Sequence, residues 1–354
     1  MRQIKHLLLN ACLVLGSVAA TVAAFEVAFL GYKERYSAWE DHGLFRLHKQ
    51  RIFAVARDYT GIWETAEFSA RHTSNGDGLR GPELRQGSPT WTRVLVLGDS
   101  FTYGHGASTN ESYPARLADL FSRHGYDVEV VNAGVNGYGT DQQHAYYTEE
   151  LFLLDPDVIV LGFNWNDLVD NIGRPLYTIA DGKLVGLDAT KNSLYFISDL
   201  HRQSPKWLRS SHLFNYLLLG MRGKDLFRQL PDLDQQGLMK WSEEKIFLSL
   251  LDLKSLSEKR GSEFVVITMP HREEQYAYRF IEPFLIEQDI PHLDLSADLV
   301  WTQQASGLWY EVDGHPNIAG YARIAQSVYQ FLISNTIEGK SLDSASQSAS
   351  GARP

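Results

Sequence analysis

A single cysteine, Cys12, stands in the whole chain of 354 residues. Disulfides within the chain and thiolate-rich zinc sites are therefore excluded. Positive charge is also scarce: 33 Lys and Arg face 43 Asp and Glu, for a net charge of −10. No basic stripe with interleaved aromatics could neutralise a run of phosphates, which argues against nucleic acid and for a small neutral or carbohydrate-like substrate. Internal repeats are missing, and long apolar runs are missing with one exception. What remains is core-forming material, 44% apolar and 12% aromatic. That is the composition of a globular protein long enough for one large core or two modest ones.

The exception lies at the start. Arg2, Lys5 and His6 precede an apolar run from Leu7 to Phe25, broken only by Asn10, Ser17 and Thr21. A spanning helix needs about 20 apolar residues and a signal-peptide core about 7–15. The run is nearer the first length, which predicts an uncleaved anchor over residues 1–30. Val22-Ala23-Ala24 offers a small-residue cleavage site, so a secreted protein freed of its signal is the alternative. Positive residues at the front place the N-terminus inside. The expected protein crosses the cell inner membrane once and holds its body in the periplasm or outside the cell.

Residues 31–90 form an aromatic-rich lead-in expected to pack on the main domain, with a turn-dense Ser74-Asn75-Gly76-Asp77-Gly78 cluster. A rhythm then begins. Runs at 93–97, 128–132, 158–162, 264–269 and 291–295 read as buried strands. Between and after them, 113–124, 141–154, 243–259, 273–288 and 317–334 carry helical spacing. Alternating strands and helices predict an α/β fold, a three-layer α/β/α sandwich on a five-stranded parallel sheet, spanning 91–335. An insertion at about 172–240 is expected to cap the sheet's active edge, and 336–354 to be a disordered tail.

Four segments fall where such a sheet gathers its loops, at the carboxyl ends of the strands. Gly98-Asp99-Ser100-Phe101-Thr102-Tyr103-Gly104 puts a serine at a strand-to-helix turn, where its hydroxyl projects beside exposed backbone amides. Glu311-Val312-Asp313-Gly314-His315 precedes the last helix and offers a base with a carboxylate to orient it. Asn132 to Gly139 and Gly162 to Asp167 supply glycines for close backbone approach and asparagine amides as further donors. Each segment alone also reads as ordinary turn and cap chemistry, and for the loops after the second and third strands that is the better reading. Tyr103, Tyr138 and Trp165 flank these turns, where packing is the ordinary role of an aromatic and lining a sugar site the alternative.

Order and spacing of the four segments resemble the SGNH (GDSL-type) hydrolase superfamily over about residues 70–335. Asn75 to Gly81 is similar to a lead-in of its membrane-anchored bacterial members. The resemblance implies a flavodoxin-like fold and a serine hydrolase with Ser100 as nucleophile, His315 as base and Asp313 as its partner. It implies an oxyanion hole from the N–H of Ser100, the N–H of Gly137 and the amide of Asn166. The sequence departs from the common pattern in its shorter Asp313-Gly314-His315 spacing, which leaves Glu311 as a reserve carboxylate, and in carrying a second asparagine, Asn164. No metal or cofactor is required. The implied function is an esterase or deacetylase acting on a small-molecule or carbohydrate ester. The alternatives are an O-acetyltransferase, which would need a membrane acyl-donor partner, and a glycan-binding scaffold without turnover.

Overall fold

The computed structural model describes residues 2–28, 43–87, 91–222, 230–272, 280–301 and 307–337. Within the expected tail, 338–354 lie outside the described residues, as do 273–279 at the start of the expected helix 273–288 and 31–42 of the lead-in. The chain divides into two compact units: Met1–Phe53 with Ala189–Gln229, and Ala54–Asp188 with Leu230–Pro354. The division parts the lead-in after Phe53. It also assigns the middle of the 172–240 insertion to one unit and its ends to the other.

The larger unit is built on five parallel strands: β1 (Thr92–Gly98), β2 (Val128–Asn132), β3 (Val158–Phe163), β4 (Glu263–Thr268) and β5 (His292–Asp294). Their spatial order is β2-β1-β3-β4-β5, the doubly wound flavodoxin-like order with its switch point between β1 and β3. Side chains alternate across the pleat. Val94, Val96, Val158, Val160, Val265 and Ile267 share one core with Leu117 and Phe121 of helix Tyr113–Arg123 and Tyr321, Ile324 and Val328 of helix Ile318–Leu332. Leu95, Leu97, Ile159 and Leu161 alternate with them and are as fully buried. Helices Thr140–Glu149, Asp167–Gly173 and Gln235–Lys259 make the other layer. Each such side chain buried contributes about 1.5–3 kcal/mol, so the central strands dominate the unit's stability.

Two elements differ from the expectation. Helix Gln235–Lys259 begins eight residues before Glu243, where Asp234 caps it by accepting from the N–H of Gly237 at 2.7 Å. Gly237 and an indistinct apolar stripe hid that first part. The lead-in contains an antiparallel hairpin, Thr60–Glu64 with Ser69–Thr73, tied down where Thr73 N–H donates to Thr109 Oγ1 at 2.8 Å. Inside the second helical layer lies an ion pair with no solvent exposure. Lys245 Nζ sits 2.7 Å from Asp141 Oδ2, which also accepts from the N–H groups of Leu176 and Tyr177. Burial pulls the Lys245 ammonium pKa down, and Asp141 opposes that pull.

The smaller unit contains the helix Arg2–Ala28, whose segment Asn10–Ala28 has a mean hydropathy of 2.0 and is long and apolar enough to cross a membrane. Nineteen residues at 1.5 Å rise span about 28 Å, close to a hydrocarbon core. At its far end the Glu26 carboxylate accepts from Ser211 Oγ and from the N–H groups of His212 and Leu213, at 2.6 and 3.3 Å for the two amides. It thereby caps helix His212–Arg222. Strand Phe45–His48, the 3-10 helix Ala189–Lys191 and helices Ser193–Gln203 and Lys206–Arg209 also belong to the unit.

Candidate active site

The site grows from the end of β1. Gly98 has φ +157°, and a Cβ there would stand 2.1 Å from Thr102 Oγ1, so only glycine lets the chain turn this tightly into helix Ser100–Tyr103. Asp99 caps that helix by accepting from the N–H of Phe101 at 2.9 Å. Its other oxygen accepts from Asn164 Nδ2 at 3.0 Å. Burial raises the Asp99 carboxyl, against hydrogen bonds from Phe101, Asn166 and Asn164 and the charge of His315. From β2, Gly134 lays its backbone against the helix so closely that a Cβ would stand 2.3 Å from Tyr103 N.

The other half arrives from the loop before the last helix. Tyr310 N–H donates to His315 O at 3.0 Å, and Gly314 turns the chain at φ +83°. The Glu67 carboxylate accepts from the N–H groups of Val312 and Asp313 at 2.9 and 2.8 Å. So held, His315 Nε2 lies 2.9 Å from Ser100 Oγ, and His315 Nδ1 lies 2.5 Å from Asp313 Oδ1. With Nδ1–H donating to the carboxylate, Nε2 is free to accept from the serine hydroxyl. Ser100, His315 and Asp313 are thus brought together. Asp313, and not Glu311, is the carboxylate on His315; the backbone carbonyl of Glu311 accepts from Arg272 at 2.6 Å.

Sequence reasoning missed a fourth member. His105 Nε2 lies 3.2 Å from the second Asp313 oxygen, and its ring centroid is 4.3 Å from that of His315. Asn136 Nδ2 donates to His105 Nδ1 at 3.2 Å, which leaves the proton on Nε2, facing Asp313. Asp313 therefore receives one imidazole on each oxygen. Burial alone would raise its carboxyl, but the hydrogen bonds and charges of His105 and His315 hold it far below the usual carboxylate range. Burial lowers the pKa of His105, partly offset by Asp313. The only signal in the sequence was a histidine directly after the Ser100 segment.

The expected oxyanion donors are placed less uniformly. The N–H groups of Ser100 and Gly137 donate to no described residue, while Gly137 holds φ +76° and its carbonyl accepts from Arg174 at 2.7 Å. Asn166 Nδ2 is turned to Asp170 Oδ2 at 2.9 Å. Of the flanking aromatics, Tyr103 and Tyr138 are fully buried and line no surface; Trp165 packs on His271 at 5.5 Å. Beneath the nucleophile, Arg80 from the lead-in is buried and donates to the carbonyls of Tyr103, Gly104 and Ala107.

Comparison with known proteins gives one family match and several distant relatives. Residues 96–212 match the model of the GDSL-like Lipase/Acylhydrolase family, a stretch that holds Ser100, Gly137 and Asn166 and ends before His315. An arylesterase of Vibrio mimicus is 29% identical over 104 residues, 29% of this chain and 52% of that protein. The chain thus spans about half the length of this curated relative. Among solved structures, a catalytic mutant of Axe2, an acetylxylan esterase from Geobacillus stearothermophilus, is 14% identical with a TM-score of 0.40, covering 70% of this chain and 96% of that one. TesA is 16% identical with a TM-score of 0.39, covering 68% and 98%.

Proposed function

We propose, on the match of residues 96–212 to the GDSL-like lipase/acylhydrolase family, that this chain is a serine esterase that works through an acyl-enzyme on Ser100. The single observation that carries this reading is the relay from Ser100 Oγ to His315 Nε2 at 2.9 Å and from His315 Nδ1 to Asp313 at 2.5 Å. His315 takes the Ser100 proton as Oγ attacks the ester carbonyl, and Asp313 stabilises the imidazolium that forms. The N–H groups of Ser100 and Gly137 receive the oxyanion, and the Asn166 amide joins them by turning from Asp170. His315 then protonates the departing alcohol, and water attacks the acyl-enzyme by the same route in reverse. Each oxyanion donor is worth about 3–4 kcal/mol in such a site.

The acidic balance of the larger unit favours a neutral ester, and an O-acylated glycan meets that requirement. Arg2–Ala28 serves as a single-pass anchor with Arg2 and Lys5 inside and the catalytic unit outside the cytoplasm. The test is p-nitrophenyl acetate turnover by the full chain beside Ser100→Ala, with a fluorophosphonate probe on both. Release and labelling lost together in the variant are the expected result. Turnover that survives Ser100→Ala would refute the nucleophile.

A further inference from the structure

The charge of −10 conceals a division. Met1–Phe53 and Ala189–Gln229 hold fourteen Lys and Arg against six Asp and Glu, a balance of +8; the larger unit holds nineteen against thirty-seven, a balance of −18. The smaller unit also encloses a cavity of about 490 Å³. Phe45, Phe53 and Tyr195 give it an apolar wall, while Arg46, Lys49 and Arg209 line it with cations. Arg46 Nε is buried without a hydrogen-bond partner, and none of these three side chains pairs with a carboxylate among the described residues. A fourth lining cation, Arg202, is paired with Asp199 at 2.9 Å. Cations with no counter-ion among the described residues, set over an apolar wall, suit an amphiphile with an anionic head.

Two further features say where that amphiphile comes from. Glu26, at the end of the apolar helix, caps helix His212–Arg222, which fixes this helical cluster to the level where the apolar segment ends. In the short helix Lys206–Arg209, Trp207 is 74% exposed between Lys206 and Arg209, and Leu217 on the next helix is also exposed. An exposed indole flanked by cations at the end of an apolar segment is the pattern of a bilayer interface. Lysines and arginines beside an anionic leaflet are attracted to it. We propose that the cavity of the smaller unit binds the headgroup of an anionic phospholipid from the adjoining leaflet. The cavity shares no lining residue with the Ser100 site, and the proposal rests on the anchor reading of Arg2–Ala28, not on the esterase reading.

The test is calorimetric titration of the full chain, delipidated in a non-ionic detergent, with dihexanoyl-phosphatidylglycerol, its phosphatidylcholine analogue and glycerol 3-phosphate. The expected result is saturable binding of the phosphatidylglycerol, with the other two at least ten-fold weaker. Arg46→Glu with Arg209→Glu should weaken phosphatidylglycerol by more than ten-fold while p-nitrophenyl acetate turnover is kept, which shows the chain still folds. Equal binding of the phosphatidylcholine analogue would overturn the charge argument, and equal binding of glycerol 3-phosphate would overturn the lipid source. Absence of saturable binding by the unmodified chain would overturn the site itself.

Discussion

Asp313 shares its two oxygens between two imidazoles, and this bears on the short spacing to His315. With only Gly314 between them, the carboxylate is carried on a tight turn and needs an anchor from elsewhere, which His105 supplies. A hydrogen bond to a charged group is worth about 1.5–3 kcal/mol. His105→Ala should therefore lower kcat roughly ten- to a hundred-fold with little change in KM, and His105→Gln should recover part of the loss. A second histidine tests the same region through stability. Burial, then the charges of Arg80 and His105, lowers the His72 pKa from 6.5 to about 3, and its Nδ1 pairs with Tyr103 OH at 3.0 Å. Its folded-state value lies below the unfolded one, so its contribution is complete above pH 6.5 and is lost as pH falls toward 3. The slope is about 1.4 kcal/mol per pH unit in that window. Denaturant midpoints of His72→Phe across pH 7 to 4 should fall less steeply than those of the parent chain. Ser100, His315 and Asp313 were legible because each sits in a dense local motif at a strand or helix end. His105 and Arg80 were not, because their partners lie 208 and 23 to 27 residues away.

At the scale of elements, the strands were legible from their β-branched runs, and the parallel sheet followed from their alternation with helices, whereas the strand order is read from the structure. The first turns of Gln235–Lys259 were obscured by Gly237, and the lead-in hairpin by its half-exposed, polar alternation. Buried charge was equally hidden, since no local pattern announces that Lys245 meets Asp141 across 104 residues. Lys245→Met would leave that carboxylate buried without its counter-charge, a change that costs about 3–5 kcal/mol. Urea unfolding should show a correspondingly lower midpoint, and Lys245→Met with Asp141→Leu should recover much of it. At Gly134 the constraint is steric: alanine would overlap Tyr103 N, so Gly134→Ala should reduce p-nitrophenyl acetate turnover by shifting the Ser100 helix, even where soluble protein is obtained.

For the molecule as a whole, a single net charge was a poor guide, because it is the sum of a unit at +8 and one at −18. The acidic unit carries the nucleophile, and a field of that sign slows the approach of anions until salt screens it. Turnover of a neutral acetate should hardly change between 10 and 300 mM salt. That of an anionic ester such as a hemisuccinate should be slower at low salt and rise several-fold.

The nucleophile and its base stand 215 residues apart along the chain. A ribosome adding roughly 5–20 residues per second takes roughly 10 to 40 s between them. Through that interval, and during any export that follows, the serine has no base within reach. The nascent chain is chemically silent, and competence comes with the docking of the final loop.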